Sequence, residues 1–143
     1  MSARRWLLPS LTQAIWIVFF AGIMLTNWRQ VLISTDGDPC WHRQQGNWMI
    51  DHRAILRRDP FSHTRPGATI VSKEWLSEVI YAGAGKLLGW NGVVFVAAAV
   101  LATVLALLHH QLLAEGNDVI LSTLLVILAD VVFTAFFYAI HFD

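Results

Sequence analysis

Hydrophobic residues along this chain are concentrated in three long runs, with a polar stretch between the first and the second. The runs cover about residues 11–33, 91–113 and 119–142, and each is long enough to cross the roughly 30 Å hydrocarbon core of a bilayer as a helix. Six of the ten acidic and seven of the ten basic residues lie between positions 36 and 90. The pattern predicts an all-α integral membrane protein with three transmembrane helices and a polar loop over about 34–90.

Composition supports lipid as the solvent for most of the chain. Hydrophobic residues make up 56% of the sequence and charged residues 14%, whereas a soluble domain carries about 25% charged residues. The formal net charge is zero and no basic arm is present, so nucleic acid is excluded as a partner. No small-residue cleavage motif follows the first run, which favours an uncleaved spanning helix over a signal peptide.

The polar loop contains signals for two amphipathic helices and two turns. Asp38-Pro39 predicts the start of a helix over about 39–53 that lies on the membrane surface. Ser72 is the predicted cap of a second helix, and Gly89 is its predicted stop. The turns are predicted at residues 59–62 and 64–67. The predicted apolar stripe of the second helix consists of Trp75, Leu76, Val79, Ile80 and Leu87.

Several short motifs in the loop resemble a known family. They are the segments 36–42 (DGDPCWH), 46–50 (GNWMI), 59–64 (DPFSHT), 74–76 (EWL) and 89–92 (GWNG), together with Gly67. They resemble the first loop of bacterial multi-spanning membrane proteins described as glycosyltransferase-like, of the GT-C superfamily. Two features depart from the family pattern: residues 68–70 read Ala-Thr-Ile where a tryptophan is expected, and family members continue for further spanning helices.

The resemblance implies a sugar transferase that uses a polyprenyl-phosphate-linked donor at the extracytoplasmic face of the membrane. The chain is similar to the amino-terminal part of such a protein, and three helices alone are too few for a catalytic GT-C core. The implied location is the bacterial cytoplasmic (inner) membrane, with the amino terminus in the cytoplasm. Arg4 and Arg5 favour that orientation, although the seven basic residues of the loop count against it under the positive-inside rule.

The acidic motif of the family carries over onto Asp36 and Asp38, which are the predicted catalytic residues. Inverting sugar transfer needs a carboxylate base and a positive charge beside the departing phosphate. The same two carboxylates are candidate ligands for a divalent metal ion, which prefers oxygen donors. His42 follows one helical turn after Asp38 and is a candidate substrate-binding residue. The structural alternative is that Asp38 caps a helix and Asp36 marks the exit from the membrane.

Other candidate substrate-binding residues each have a structural alternative. Arg57, Arg58 and Lys73 can bind the donor phosphate, or they can contact lipid headgroups. Trp75 can stack on a sugar ring, or it can anchor the chain at the membrane interface. Asp130 is a carboxylate inside an apolar run, which indicates either a function or a structural polar contact.

Two functional hypotheses therefore remain open at the level of sequence. One is the amino-terminal part of a GT-C-like glycosyltransferase, with membrane lipid and a polyprenyl-phosphate sugar as its partners. The other is a non-catalytic three-helix membrane module that packs against other membrane helices or against further copies of itself.

Overall fold

Five helices make up most of the chain in the computed structural model, which describes residues 9–25 and 38–141. They are α1 (Leu11–Leu25), α2 (Asp38–His52), α3 (Trp75–Leu88), α4 (Trp90–Ala114) and α5 (Val119–His141). The described part contains no strand, only an isolated antiparallel bridge between Arg58 and Thr69. The expectation of an all-helical fold is thus confirmed.

Helix α4 is the one helix in the described ranges that is long and apolar enough to cross a bilayer. Its bounds lie within one residue of the second predicted span at each end, and α5 matches the third span equally closely. In the described part of the chain, the apolar stretches Leu11–Leu25 and Val119–Phe133 each have fewer than 18 residues. The remainder of the first predicted span, after residue 25, lies outside the described residues. The presence of three spans therefore stays a prediction.

The chain divides into two compact units, and the division falls within α4. One unit comprises Met1–Trp28 and Ala97–Asp143, and the other comprises Arg29–Val96. The first is called here the apolar unit and the second the polar unit. The apolar unit contains most of each hydrophobic run and the polar unit contains the charged loop, whereas the sequence predicts a single membrane domain over residues 1–143.

The apolar unit has a small aliphatic core and a buried histidine. Ile15, Leu105 and Val126 form the core, and partly buried Phe19, Leu101 and Leu112 pack against it. His109 is fully buried, with Nδ1 3.1 Å from Oγ1 of Thr12 and Nε2 3.4 Å from Oγ1 of Thr123. His110 is exposed, so the two adjacent histidines point in different directions, as expected on a helix. His109 thereby connects α1, α4 and α5 through hydrogen bonds.

The hydroxyl groups around His109 indicate its tautomer. Thr123 donates its hydroxyl hydrogen to the carbonyl of Val119 at 2.8 Å, so its oxygen is left to accept a hydrogen bond from Nε2–H of His109. The unprotonated Nδ1 then accepts a hydrogen bond from the hydroxyl of Thr12. A neutral imidazole therefore satisfies both contacts, which suits a buried site because no charge has to be desolvated there.

In the polar unit, α2 and α3 approach closely because glycine and alanine lie between them. A Cβ atom added to Gly46 would lie 2.0 Å from the carbonyl oxygen of Glu78 and 2.7 Å from Cβ of Ala82. The exposed side chains of Lys86 and Asp51 form an ion pair between the same two helices. The guanidinium of Arg43 stacks 4.7 Å from the centre of the Trp90 ring and donates to the carbonyl of Gly85.

The segment between α2 and α3 is a hydrogen-bonded hairpin. The amides of Asp59 and Gly67 donate to the carbonyls of Ala68 and Asp59, each at 2.8 Å. Oδ1 of Asp59 accepts from the amides of Phe61 and Ser62. Gly67 has φ +76°, a conformation that suits glycine in a turn. Both predicted turns are therefore present.

Candidate functional site

Helix α3 places a carboxylate on its buried face and aliphatic side chains on its exposed face. Glu78, Ala82 and Gly85 follow a helical repeat of four and three residues, and all three are buried. The opposite face exposes Leu76, Ile80 and Leu87. Their exposed fractions are 55%, 45% and 83%. This is the reverse of an ordinary soluble helix, in which the polar face meets water.

Glu78 is 2% exposed, and hydrogen bonds satisfy both of its carboxylate oxygens. The hydroxyl of Ser72 donates to Oε2 at 2.7 Å, and Nδ1 of His42 lies 3.1 Å from Oε1. Glu78 also lies in the first turn of α3, where the helix dipole favours a negative charge. These partners hold the carboxylate in a fixed orientation.

His42 lies between two carboxylates. Its Nδ1 contacts Glu78, and its Nε2 is 3.6 Å from Oε2 of Glu74. An ionised carboxylate only accepts hydrogen bonds, so Nδ1–H of His42 donates to an ionised Glu78. In the neutral ring, Nε2 then keeps a lone pair that can accept a proton or a hydrogen bond. The arrangement of a carboxylate that orients a histidine is one used for general acid–base chemistry.

These groups line an open cleft of about 280 Å³, called here the His42 cleft. Gln45 also lines it and is 5% exposed, yet its Oε1 has no hydrogen-bond donor within the described part of the chain. A buried acceptor without a donor is uncommon in folded proteins and requires an explanation. Because Gln45 lines the cleft, a rotation of its side chain would let Oε1 accept a hydrogen bond from a ligand there. The complete lining is Trp41, His42, Gln45, Ile70, Val71, Ser72, Lys73, Glu74 and Glu78.

The structure brings together two of the predicted substrate-binding residues. His42 and Lys73 both line the His42 cleft. Trp75 is the first residue of α3, is 41% exposed and does not contribute to that lining. Arg57 and Arg58 line a different cleft, together with Trp48 and Asp59.

The structure describes one of the two predicted catalytic carboxylates. Asp38 is the exposed first residue of α2 and precedes His42 by one helical turn. Asp36 lies outside the described residues. Within the ranges that the structure describes, no group of three or more His, Cys, Asp or Glu side chains could hold a metal ion. A divalent metal at Asp36 and Asp38 stays a prediction.

The predicted cap of α3 is wrong. The helix begins at Trp75 with Glu74 as its N-terminal flanking residue, and Glu74 makes no capping hydrogen bond through its side chain. The Ser72 hydroxyl instead donates to Glu78. A serine near a helix start has the sequence pattern of a cap whether or not a buried carboxylate competes for its hydroxyl.

Glu78 and Gln45 were missed as site residues by the sequence analysis. A signal for Glu78 was present, because Ala82 and Gly85 follow it at spacings of four and three residues and small residues permit close helix packing. The burial of Gln45 depends on α3, which is distant in sequence. Comparisons with protein-family models, with curated proteins and with solved structures find no match to this chain.

Proposed function

We propose that this chain is the amino-terminal region of a GT-C-like membrane glycosyltransferase and that the His42 cleft binds a sugar. The observation that carries the proposal is the buried Oε1 of Gln45, which has no donor among the described residues and lines the same cleft as the Glu78–His42 pair. Sugar hydroxyls donate hydrogen bonds to amide and carboxylate oxygens. The Trp41 ring offers an apolar surface, and the Lys73 ammonium can pair with a phosphate.

The proposal includes a membrane arrangement in which α1, α4 and α5 are spans. Large aliphatic side chains are exposed along the last two helices, among them Val100, Val104, Leu107, Leu124 and Leu128. Exposed apolar surface of this extent supports a lipid or protein neighbour rather than water. In this arrangement α2 and α3 lie at the extracytoplasmic interface of the bacterial inner membrane, and the exposed aliphatic face of α3 meets lipid.

In the proposed reaction, the residues of the polar unit have separate roles. Asp36 and Asp38 supply the base that takes the proton of the acceptor. His42, which the buried Glu78 holds in place, contacts a hydroxyl group of the sugar, and Lys73 lies beside the phosphate of the polyprenyl-linked donor. Arg57, Arg58 and Trp75 have no assigned contact with the sugar in the His42 cleft.

A binding experiment tests the sugar site. The protein in lipid nanodiscs would be offered undecaprenyl phosphate with glucose, mannose or galactose attached, or with no sugar. We expect at least one sugar-bearing lipid to bind more tightly than the sugar-free lipid. Gln45→Leu should reduce that preference about tenfold, because it removes one hydrogen bond of about 1.4 kcal/mol. The matched control is Gln44→Leu, since Gln44 is its exposed neighbour on α2.

Equal binding of sugar-bearing and sugar-free lipids by the wild-type protein would contradict the sugar site. The same conclusion would follow if Gln45→Leu and Gln44→Leu behaved alike. In either case, the alternative function gains support: a non-catalytic module that packs against another membrane protein. The specific observation behind that alternative is the exposed aliphatic surface of α4 and α5, which suits neighbouring helices as well as lipid.

The orientation of the polar unit has a direct chemical test. Cys40 is the single cysteine of the chain and is exposed on α2, two residues after Asp38. A membrane-impermeant thiol reagent should label it in intact cells if the polar unit lies outside. Labelling only after permeabilisation would place the polar unit in the cytoplasm and would contradict the proposed donor site.

A further inference from the structure

A second cleft in the polar unit is lined by two arginines and by apolar side chains. It has a volume of about 540 Å³ and is called here the Arg57 cleft. It shares no lining residue with the His42 cleft. Its lining consists of Trp48, Ile55, Arg57, Arg58, Asp59, Pro60, Pro66 and Gly67. The cleft therefore combines concentrated positive charge with an apolar wall.

The charge of the two arginines is not neutralised within the described part of the chain. Both side chains are exposed, and neither takes part in an ion pair there. Asp59 is the only carboxylate in the lining, and its Oδ1 accepts hydrogen bonds from the amides of Phe61 and Ser62. The turn thus holds Asp59 in place and limits its freedom to pair with the arginines.

The surrounding sequence adds to the positive charge. Residues 52–73 contain five lysines and arginines and one carboxylate, a net charge of +4, although the whole chain is neutral. The hairpin that carries Arg57 and Arg58 is closed by backbone hydrogen bonds, including Ile70 N–H to the Arg57 carbonyl at 3.0 Å. The cations are therefore presented on an ordered backbone.

We propose that the Arg57 cleft binds the phosphate of an anionic phospholipid headgroup. Guanidinium groups recognise phosphate through paired hydrogen bonds. The adjoining Trp48, Ile55 and proline side chains suit the boundary between headgroup and acyl chain, where tryptophan is enriched. Free inorganic phosphate has no apolar part that could contact these side chains. The proposal concerns a cleft separate from the sugar site, and it rests on the membrane location in the proposed function but not on sugar transfer.

The test measures lipid binding to the whole purified chain in detergent by native mass spectrometry. Phosphatidylglycerol is the anionic probe, and phosphatidylcholine of the same acyl composition is the reference. We expect the wild-type protein to prefer phosphatidylglycerol by about tenfold, since each basic residue near an anionic surface adds to the attraction. The double variant Arg57→Gln/Arg58→Gln should lose the preference.

The control is Arg65→Gln, which removes a positive charge from the same hairpin but lies outside the lining of the cleft. It should keep most of the preference. Loss of preference in Arg65→Gln equal to that in the double variant would show diffuse charge attraction and overturn the proposal. Absence of any preference in the wild-type protein would also overturn it.

The source of the phosphate is tested in the same assay. Inorganic phosphate at 10 mM would be compared with chloride at matched ionic strength. Retention of phosphatidylglycerol under both conditions supports a lipid headgroup as the ligand. Complete displacement by inorganic phosphate alone would overturn the lipid assignment. Far-ultraviolet circular dichroism of each variant establishes that the helices are intact, so a loss of binding reports on the cleft.

Discussion

The hydroxyl of Ser72 has a role that a helix cap would not have. It donates to the buried carboxylate of Glu78 at 2.7 Å and so fixes one side of the His42 cleft. We predict that Ser72→Ala lowers the free energy of unfolding by about 1.5 kcal/mol, the lower end of the range for hydrogen bonds to charged groups. Thermal unfolding in detergent measures the change.

Ser77→Ala is the matched control for this prediction. The Ser77 hydroxyl donates to the carbonyl of Glu74 within the same segment and supports no buried carboxylate. Alanine also has the higher helix propensity, so Ser77→Ala should be neutral within about 0.5 kcal/mol. If both variants unfolded at the same temperature, the Ser72–Glu78 bond would have no measurable effect on stability.

His109 is the second residue whose polar contacts connect separate helices. We predict that His109→Ala lowers the free energy of unfolding by about 2–4 kcal/mol, because it leaves a cavity and removes the partner of Thr12 and Thr123. The exposed neighbour His110 offers the comparison, and His110→Ala should stay within about 0.5 kcal/mol of the wild-type protein. Equal melting temperatures for the two variants would show that the contacts of His109 with Thr12 and Thr123 add nothing measurable to stability.

At the scale of the element, the approach of α2 to α3 depends on Gly46. Its added Cβ would meet the backbone of Glu78 at 2.0 Å, and backbone cannot rotate away as a flexible side chain can. We predict that Gly46→Ala lowers the free energy of unfolding by about 2–3 kcal/mol through overpacking. The expected cause is separation of α2 from α3, which would also open the His42 cleft.

Gly83 provides the control on the same pair of helices. A Cβ atom at Gly83 meets no atom within 4 Å. Gly83→Ala should therefore raise the free energy of unfolding by about 0.5–1 kcal/mol through helix propensity. Thermal unfolding of both variants measures the two changes in the free energy of unfolding. A stabilising Gly46→Ala would show that α2 and α3 do not approach as closely as the structure has them.

The sequence predicts elements better than it predicts the site. The bounds of α4 and the stop at Gly89 follow from local features, namely a long apolar run and a glycine with φ +62°. The buried position of Glu78 is harder to predict, because the aliphatic periodicity of α3 assigns the opposite face to the interior. The small residues Ala82 and Gly85 are the competing signal, and the packing of α2 shows which face is covered. His42 and Lys73 come together for the same reason, because the loop over residues 53–74 returns the chain to α2.

At the scale of the whole molecule, a substitution at an exposed position of α4 tests whether lipid or water surrounds this helix. Val104 lies near the middle of the helix and is 55% exposed. In a bilayer, Val104→Arg should raise the free energy of membrane insertion by about 2.5–3.5 kcal/mol. In water, the same substitution should change the free energy of unfolding by no more than about 0.5 kcal/mol. The fraction of the chain that resists alkaline carbonate extraction from membranes measures the difference.

The control for this substitution is His110→Arg. His110 is exposed nearer the end of α4, where a long basic side chain can reach the interface at small cost. We expect the membrane-bound fraction to fall for Val104→Arg and to stay unchanged for His110→Arg. If both variants remained fully bound, the exposed surface of α4 would face something other than hydrocarbon.

The reversed faces of α3 have a consequence for its tolerance of mutation. In most helices the buried hydrophobic positions accept few substitutions, and the exposed charged positions accept many. Here Leu76, Ile80 and Leu87 should exchange with any aliphatic residue, whereas Glu78 should not tolerate even aspartate, which is one methylene too short to reach both Ser72 and His42. In a saturation library of α3, Glu78 should therefore accept the fewest substitutions, and Leu76 and Leu87 should accept the most.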